Sequence, residues 1–245
     1  MKEEEKMKNG IGSQVIQNAM FVVVCLVTVA ALILVAWLFE RIMRKKNGDK
    51  SRILSTKKIA MIGMFSAISG ILYCFDFALP IAPTFYKLDF SELPALICGF
   101  AFGPVAGVLV EFLKVVIKLL FKSTSTAFVG DLANFLIGCM LVLPASVIYG
   151  FKKTKKMSRI ALLTGVIVMT VFGTWFNAVY LLPTFSTLYG LPLDSIIAMG
   201  TAINGSVNNI YSFVIIMVAP MNIIKGTVVS VLTLLVYKKL SRIIK

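Results

Sequence analysis

The residues of this chain with chemistry to offer sit inside long apolar runs, where polar groups are costly. Lys225 has 30 uncharged residues before it and 12 after it. Asn222 lies three residues earlier, so on a helix the two share one face. A lysine only donates hydrogen bonds, whereas an asparagine amide both donates and accepts. Together they make a small polar patch, better suited to a ligand than to lipid. Asn177, in Gly173-Thr174-Trp175-Phe176-Asn177, and the pair Asp131 and Asn134 add groups of the same kind. Glu111, Lys114 and Lys118 fall at i, i+3 and i+7, again one face. Two readings stay open for each cluster. Lys225 either snorkels to the headgroups or serves a ligand; Glu111 and Lys114 either pair with each other or face the same ligand.

Other chemistries are excluded. The chain has no histidine, which removes imidazole bases, His-based triads and His-ligated metals. No Ser or Cys is placed for activation and no carboxylates cluster for a metal, so neither an enzyme nor a metal site is expected. The phosphate-cradling pattern G-x-x-x-x-G-K-[ST] is absent, so the chain has no nucleotide site of its own. Cys25, Cys74, Cys98 and Cys139 are not spaced for redox or metal work and read as small buried hydrophobes.

The elements that must position these groups are membrane helices. Of the 245 residues 58% are hydrophobic and 15% charged; a soluble domain carries about 25% charge. A bilayer crossing needs about 20 apolar residues. The uncharged intervals place spans near 15–39, 59–75, 91–103, 104–121, 128–150, 159–182 and 220–238. The third is short, and Gly103-Pro104 turns it into the fourth. Residues 183–219, broken by Pro183, Gly190, Pro192, Gly200, Gly205 and Pro220, read as a loop with one or two short helices lying on the membrane. The first span reads as a retained anchor rather than a signal peptide. Its preceding segment Lys2-Glu3-Glu4-Glu5-Lys6 is not positive and its apolar run is too long.

Net charge is +14, and 17 of the 25 Lys and Arg fall in 41–58, 152–159 and the tail from 238. With seven spans those clusters share one side, which the positive-inside rule assigns to the cytoplasm. The amino terminus is then outside and the carboxyl terminus inside. Basic charge here marks topology, and no nucleic acid is expected as a partner. Asn177, Asn222, Lys225, Asp131 and Asn134 converge on the outer half of the bundle. The external loop at 76–90 carries Pro80, Pro83, Phe85, Tyr86, Leu88 and Phe90. Phe85, Tyr86 and Phe90 suit the covering of a flat ring, or equally an interfacial aromatic belt. Small residues four apart (Gly63 with Ala67, Ser66 with Gly70, Gly99 with Gly103 and Gly107) permit close helix approach.

Lys87-Leu88-Asp89-Phe90-Ser91-Glu92-Leu93-Pro94-Ala95-Leu96 runs into Gly99-Phe100-Ala101-Phe102-Gly103-Pro104-Val105-Ala106-Gly107. Gly130–Gly138, Ile197–Asn204 and Ala219–Gly226 follow. In this order, over about 57–240, the motifs resemble the substrate-binding S component of energy-coupling factor (ECF) vitamin transporters, of the riboflavin-specific RibU type. The resemblance implies an all-α polytopic membrane protein: a six-helix S-component bundle over 51–245, preceded at 1–50 by an extra anchor helix and a basic cytoplasmic linker. It implies riboflavin captured from outside, with a membrane coupling subunit and two ATPase subunits, separate chains that use ATP, driving release inward. Flavin-ring contacts carry over onto Asn177, Asn222 and Lys225. Asp131 and Asn134 are candidates for the ribityl hydroxyls, and Phe85, Tyr86 and Leu88 for the cover. The partner-helix motif carries over onto Gly63 and Ala67, with glycine where alanine is usual. No cofactor of its own is expected. The alternatives are an S component for thiamine, biotin or a flavin nucleotide, an unrelated secondary transporter, or a membrane enzyme. The helix at 15–39 lies outside the six-helix pattern.

Overall fold

The computed structural model describes residues 19–49, 52–122, 124 and 126–244. The charged segment at 2–6 and residues 15–18 of the first expected span lie outside them. Helices dominate: α1 Ala19–Asn47, α2 Thr56–Cys74, α3 Glu92–Phe102, α4 Pro104–Phe121 and α5 Val129–Phe151. They continue with α6 Lys155–Tyr189 and the short α7 Leu193–Thr201. Helix α8 runs from Ile210–Phe213 through a π turn at Val214–Val218 into Ala219–Ile244. Strands β1 Phe77–Ala78 and β2 Lys87–Leu88 pair antiparallel and pin the base of the loop between α2 and α3.

Five of the helices are long and apolar enough to cross a membrane. Helix α4 is 18 residues long but carries Glu111, Lys114 and Lys118, and α3 has 11 residues. These two form a tight hairpin about Gly103, whose φ of +112° favours glycine. Across it a Cβ on Gly107 would lie 3.2 Å from the Gly99 Cα, so the two helices touch backbone to backbone. Pro104 begins α4 without loss, since its missing N–H would be unpaired there. Ser66 and Gly70 are likewise internal: Ile117 of α4 fills the space beside Gly70. Gly63 and Ala67 are exposed on the opposite face of α2. Cys98 and Cys139 are fully buried and Cys25 and Cys74 partly so, all four free.

The reading of 183–219 as a loop is corrected. Helix α6 continues through Pro183 to Tyr189, α8 begins at Ile210, and only 190–209 connects them, with α7 inside. A proline inside an α-helix clashes with the carbonyl four residues back. Here a π turn stands immediately before each proline and widens the coil. The Leu182 N–H donates to the Asn177 carbonyl just ahead of Pro183, and the Ala219 N–H to the Val214 carbonyl just ahead of Pro220. The first and last spans also run further than the uncharged intervals suggested, carrying their basic ends to Asn47 and Ile244.

Candidate functional site

At the end of the bundle that carries the loop between α2 and α3 lies a cavity of about 340 Å³. That is within the roughly 300–1,000 Å³ of small-molecule sites. Asn177, Asn222, Lys225, Asp131, Asn134, Phe85, Tyr86 and Leu88 all line it. Phe90 does not: it packs on Phe77 at 5.8 Å and against the core. Residues from the three helices α5, α6 and α8 and from one loop thus meet at one space, and both π turns border it. π turns recur at functional sites because they re-aim the side chains next to them.

Lys225 does not snorkel. Its ammonium lies 2.8 Å from Glu92 Oε1 and 3.1 Å from Asp89 Oδ2, which leaves one of its three N–H bonds for the cavity. Glu92 Oε1 also accepts from Lys114 at 3.1 Å, and Lys114 sits 2.7 Å from Glu111 Oε2. The internal pairing of Glu111 with Lys114 is therefore the correct reading, and neither lines the cavity. Lys118 reaches instead to Asp131 Oδ1 at 2.6 Å. Asp89 and Glu92, both nearly fully buried, are among the members of the site that residue-by-residue reading missed. The available signal was two carboxylates three apart at the head of an apolar helix, which need buried cations to balance them.

Around Asp89, burial opposes the charge, but the Lys225 and Lys114 ammoniums and the hydrogen bonds from Ser91 outweigh it. The carboxyl is held below the usual range. Asn134 Nδ2 donates to Asp89 Oδ2 at 3.3 Å. Asn177 is committed internally as well: Nδ2 donates to the Gly173 carbonyl at 2.7 Å, and Oδ1 accepts from the Tyr86 hydroxyl at 2.6 Å. Burial pushes the Tyr86 phenol up, so it stays a neutral donor. Phe85 packs edge on against Phe185 and Tyr86 packs at a tilt against Phe213, which ties the loop to the helices around the cavity.

Eleven buried side-chain atoms among the described residues have no hydrogen-bond partner, and four of them stand out by their place. Asn222 Nδ2, Asn134 Oδ1, Asp131 Oδ2 and Glu92 Oε2 are buried without hydrogen-bond partners. All four belong to residues lining this cavity. Buried polar atoms are rarely left so, and a donor and acceptors on residues around one cavity make it the candidate ligand site. Among the described residues no acidic or thiol cluster could hold a metal ion.

Residues 57–237 match the profile of the family described as "ECF transporter, substrate-specific component". The chain belongs to that family. It is a substrate-binding transport component of the membrane and not an enzyme. It is 33% identical over 200 residues to the riboflavin transporter RibU of Staphylococcus aureus (strain TCH60), covering 80% of this chain and 96% of that one. It is 31% identical over 188 residues to the riboflavin transporter FmnP of Bacillus subtilis (strain 168), covering 76% and 93%. A solved structure described as the S component of a bacterial ECF transporter superposes with a TM-score of 0.61 at 35% identity, covering 77% of this chain and 98% of that one. Six of the helices, α2 to α6 and α8, form the S-component bundle, and α1 is an addition to it.

Proposed function

We propose that this S component binds riboflavin in the cavity between α5, α6, α8 and the loop at 76–91. The observation that carries the reading is the set of buried side-chain atoms without hydrogen-bond partners on residues that line this one cavity. Riboflavin is neutral at pH 7, and its imide edge offers one N–H between two carbonyls. Asn222 supplies an amide with its N–H group unused, and Lys225 supplies its remaining N–H to a carbonyl. Asp131 Oδ2 and Asn134 Oδ1 accept from ribityl hydroxyls. Phe85, Tyr86 and Leu88 cover the ring. Asn177 lies at the ring edge and holds Tyr86, so it closes the loop as well as touching the ligand.

The basic end of the bundle faces the cytoplasm and the cavity faces outside, with the amino terminus external and the carboxyl terminus internal. A membrane coupling subunit docks on the exposed Gly63 and Ala67 face of α2, and two ATPase subunits use ATP to drive release inward. Residues 1–50 form the anchor helix and linker, and 51–245 the substrate-binding domain.

Purification in detergent tests the reading. Flavin absorbance should accompany the chain, and titration of the stripped protein should quench riboflavin fluorescence to a one-to-one end point. Absence of quenching with riboflavin, alongside saturable binding of thiamine or biotin, would move the chain to another vitamin.

A further inference from the structure

Helix α1 lies outside the stretch that matches the family, yet it is joined to the bundle by polar groups. Glu40 is 1% exposed. Its Oε2 accepts from the Val105 backbone N–H at 3.0 Å, and its Oε1 from Arg44 Nε at 3.0 Å. Val105 is the second residue of α4, and the start of that helix lacks its usual partners. Gly103 has no side chain with which to cap, and Pro104 has no N–H to donate. A carboxylate there satisfies the first available donor and complements the positive end of the helix dipole. Gly103 is what lets it in, because a Cβ at that position would stand 2.7 Å from Glu40 Oε2.

Two turns on, Asn47 Nδ2 donates to the Gly150 carbonyl at 2.9 Å, in the last turn of α5. The Met43 sulfur fills the space that a side chain on Gly150 would need. Toward the opposite end Phe21, Cys25 and Val29 pack on the bundle core, beside an apolar crevice of about 270 Å³ lined by Val22, Leu26, Phe112 and Leu119, while Val23, Val24 and Val27 are exposed. Apolar packing thus runs along α1, and its polar attachments lie where Glu40 and Asn47 meet the ends of α4 and α5. In a bilayer, apolar faces gain little from leaving lipid, so helices stay together through close packing and interhelical hydrogen bonds.

We infer that α1 is a permanent seventh helix of the substrate-binding body, and that Glu40 is a positioning residue that caps α4 from a neighbouring helix. The cap fixes the α3–α4 hairpin, which carries Glu92 and Lys118 to the cavity; this second part rests on the riboflavin reading. The helix travels with the bundle and is not a tether to another chain.

The test uses the full-length protein with a protease site inserted between Lys50 and Ser51, cut after purification in detergent. The α1 fragment should stay with the bundle on size-exclusion chromatography, and in Glu40→Ala it should separate. A wild-type fragment that separates on cleavage overturns the docking. In the uncut chain, Glu40→Ala should weaken riboflavin binding about tenfold, the scale of one lost hydrogen bond. Glu40→Gln, whose amide oxygen still accepts from Val105, should restore affinity to within about threefold, and Met43→Ala, which loosens packing without uncapping α4, should bind as the wild type. Equal loss in all three variants, or none in Glu40→Ala, overturns the positioning role. The cleavage result stands apart from riboflavin, so failure of the vitamin reading and failure of the docking are distinguishable.

Discussion

Lys225 and Glu92 are 133 residues apart in sequence, yet an ammonium-to-carboxylate contact of 2.8 Å joins them. It links the last helix to the first turn of α3 at the floor of the cavity. Lys114 shares the same Glu92 oxygen, and Asp89 takes the other side of Lys225. The floor is thus a buried network of opposite charges, rigid only while each member keeps its partner.

Lys225→Met breaks this network and leaves Asp89 facing one cation fewer. Removal of one partner from a buried pair costs about 3–5 kcal/mol. We expect a lower unfolding temperature together with lost riboflavin affinity. Adding Asp89→Asn should return most of the stability without the binding, because the uncompensated charge is gone. Thermal unfolding and fluorescence titration of the single and double variants measure the two effects separately.

Asn222→Ala should behave differently. The Asn222 Nδ2 has no internal partner, so its loss should leave the unfolding temperature unchanged while affinity falls roughly tenfold to a hundredfold, the cost of about 1–3 kcal/mol for an unsatisfied ligand group. Asn222→Asp should bind more weakly still, since a carboxylate cannot donate. Asn177→Ala should lower both stability and affinity, because that amide bonds Gly173 and Tyr86 as well.

Tyr86→Phe removes only the hydroxyl that ties the loop to Asn177. A net hydrogen bond is worth about 0.5–1.5 kcal/mol. Riboflavin dissociation, followed by stopped-flow fluorescence, should quicken by about three- to tenfold, with the association rate little changed.

Asp89 gives the protein an acid limit. Its folded-state pKa is depressed, so its ionisation contributes stability that is fully present above the unfolded value of about 3.9 and is lost as pH falls through the folded value. Unfolding temperatures recorded between neutral and acidic pH should hold steady and then drop below the ordinary carboxylate range. Asp89→Asn should flatten that drop.

Gly63→Leu and Ala67→Leu change a face that is exposed among the described residues; a Cβ at Gly63 meets no described atom within 4 Å. Stability and riboflavin binding should be retained while uptake with the coupling module is lost. Uptake at the wild-type rate would place the partner on another face.

Much of this protein was legible in the sequence because a bilayer imposes simple rules. Apolar length set the spans, basic clusters set the common end, and charges inside spans had to face the interior. Lys225, Asn222, Asn177, Asp131 and Asn134 stood out as polar groups in apolar helices, and all five line the cavity. Gly103-Pro104 marked the hairpin because both residues act locally. Only the tertiary structure decided which polar group faces which. Whether Lys225 meets lipid, ligand or carboxylate depends on α3 arriving beside α8, and spacing along one helix says nothing of that. Pro183 and Pro220 read as breaks because a proline's clash is a local rule, whereas the π turns that absorb it borrow their geometry from the packed bundle. Gly63 and Gly70 look alike in sequence, yet one is bare and the other lies against Ile117. The side of a helix that is covered is a property of its neighbours, and those are chosen by contacts distant in the chain.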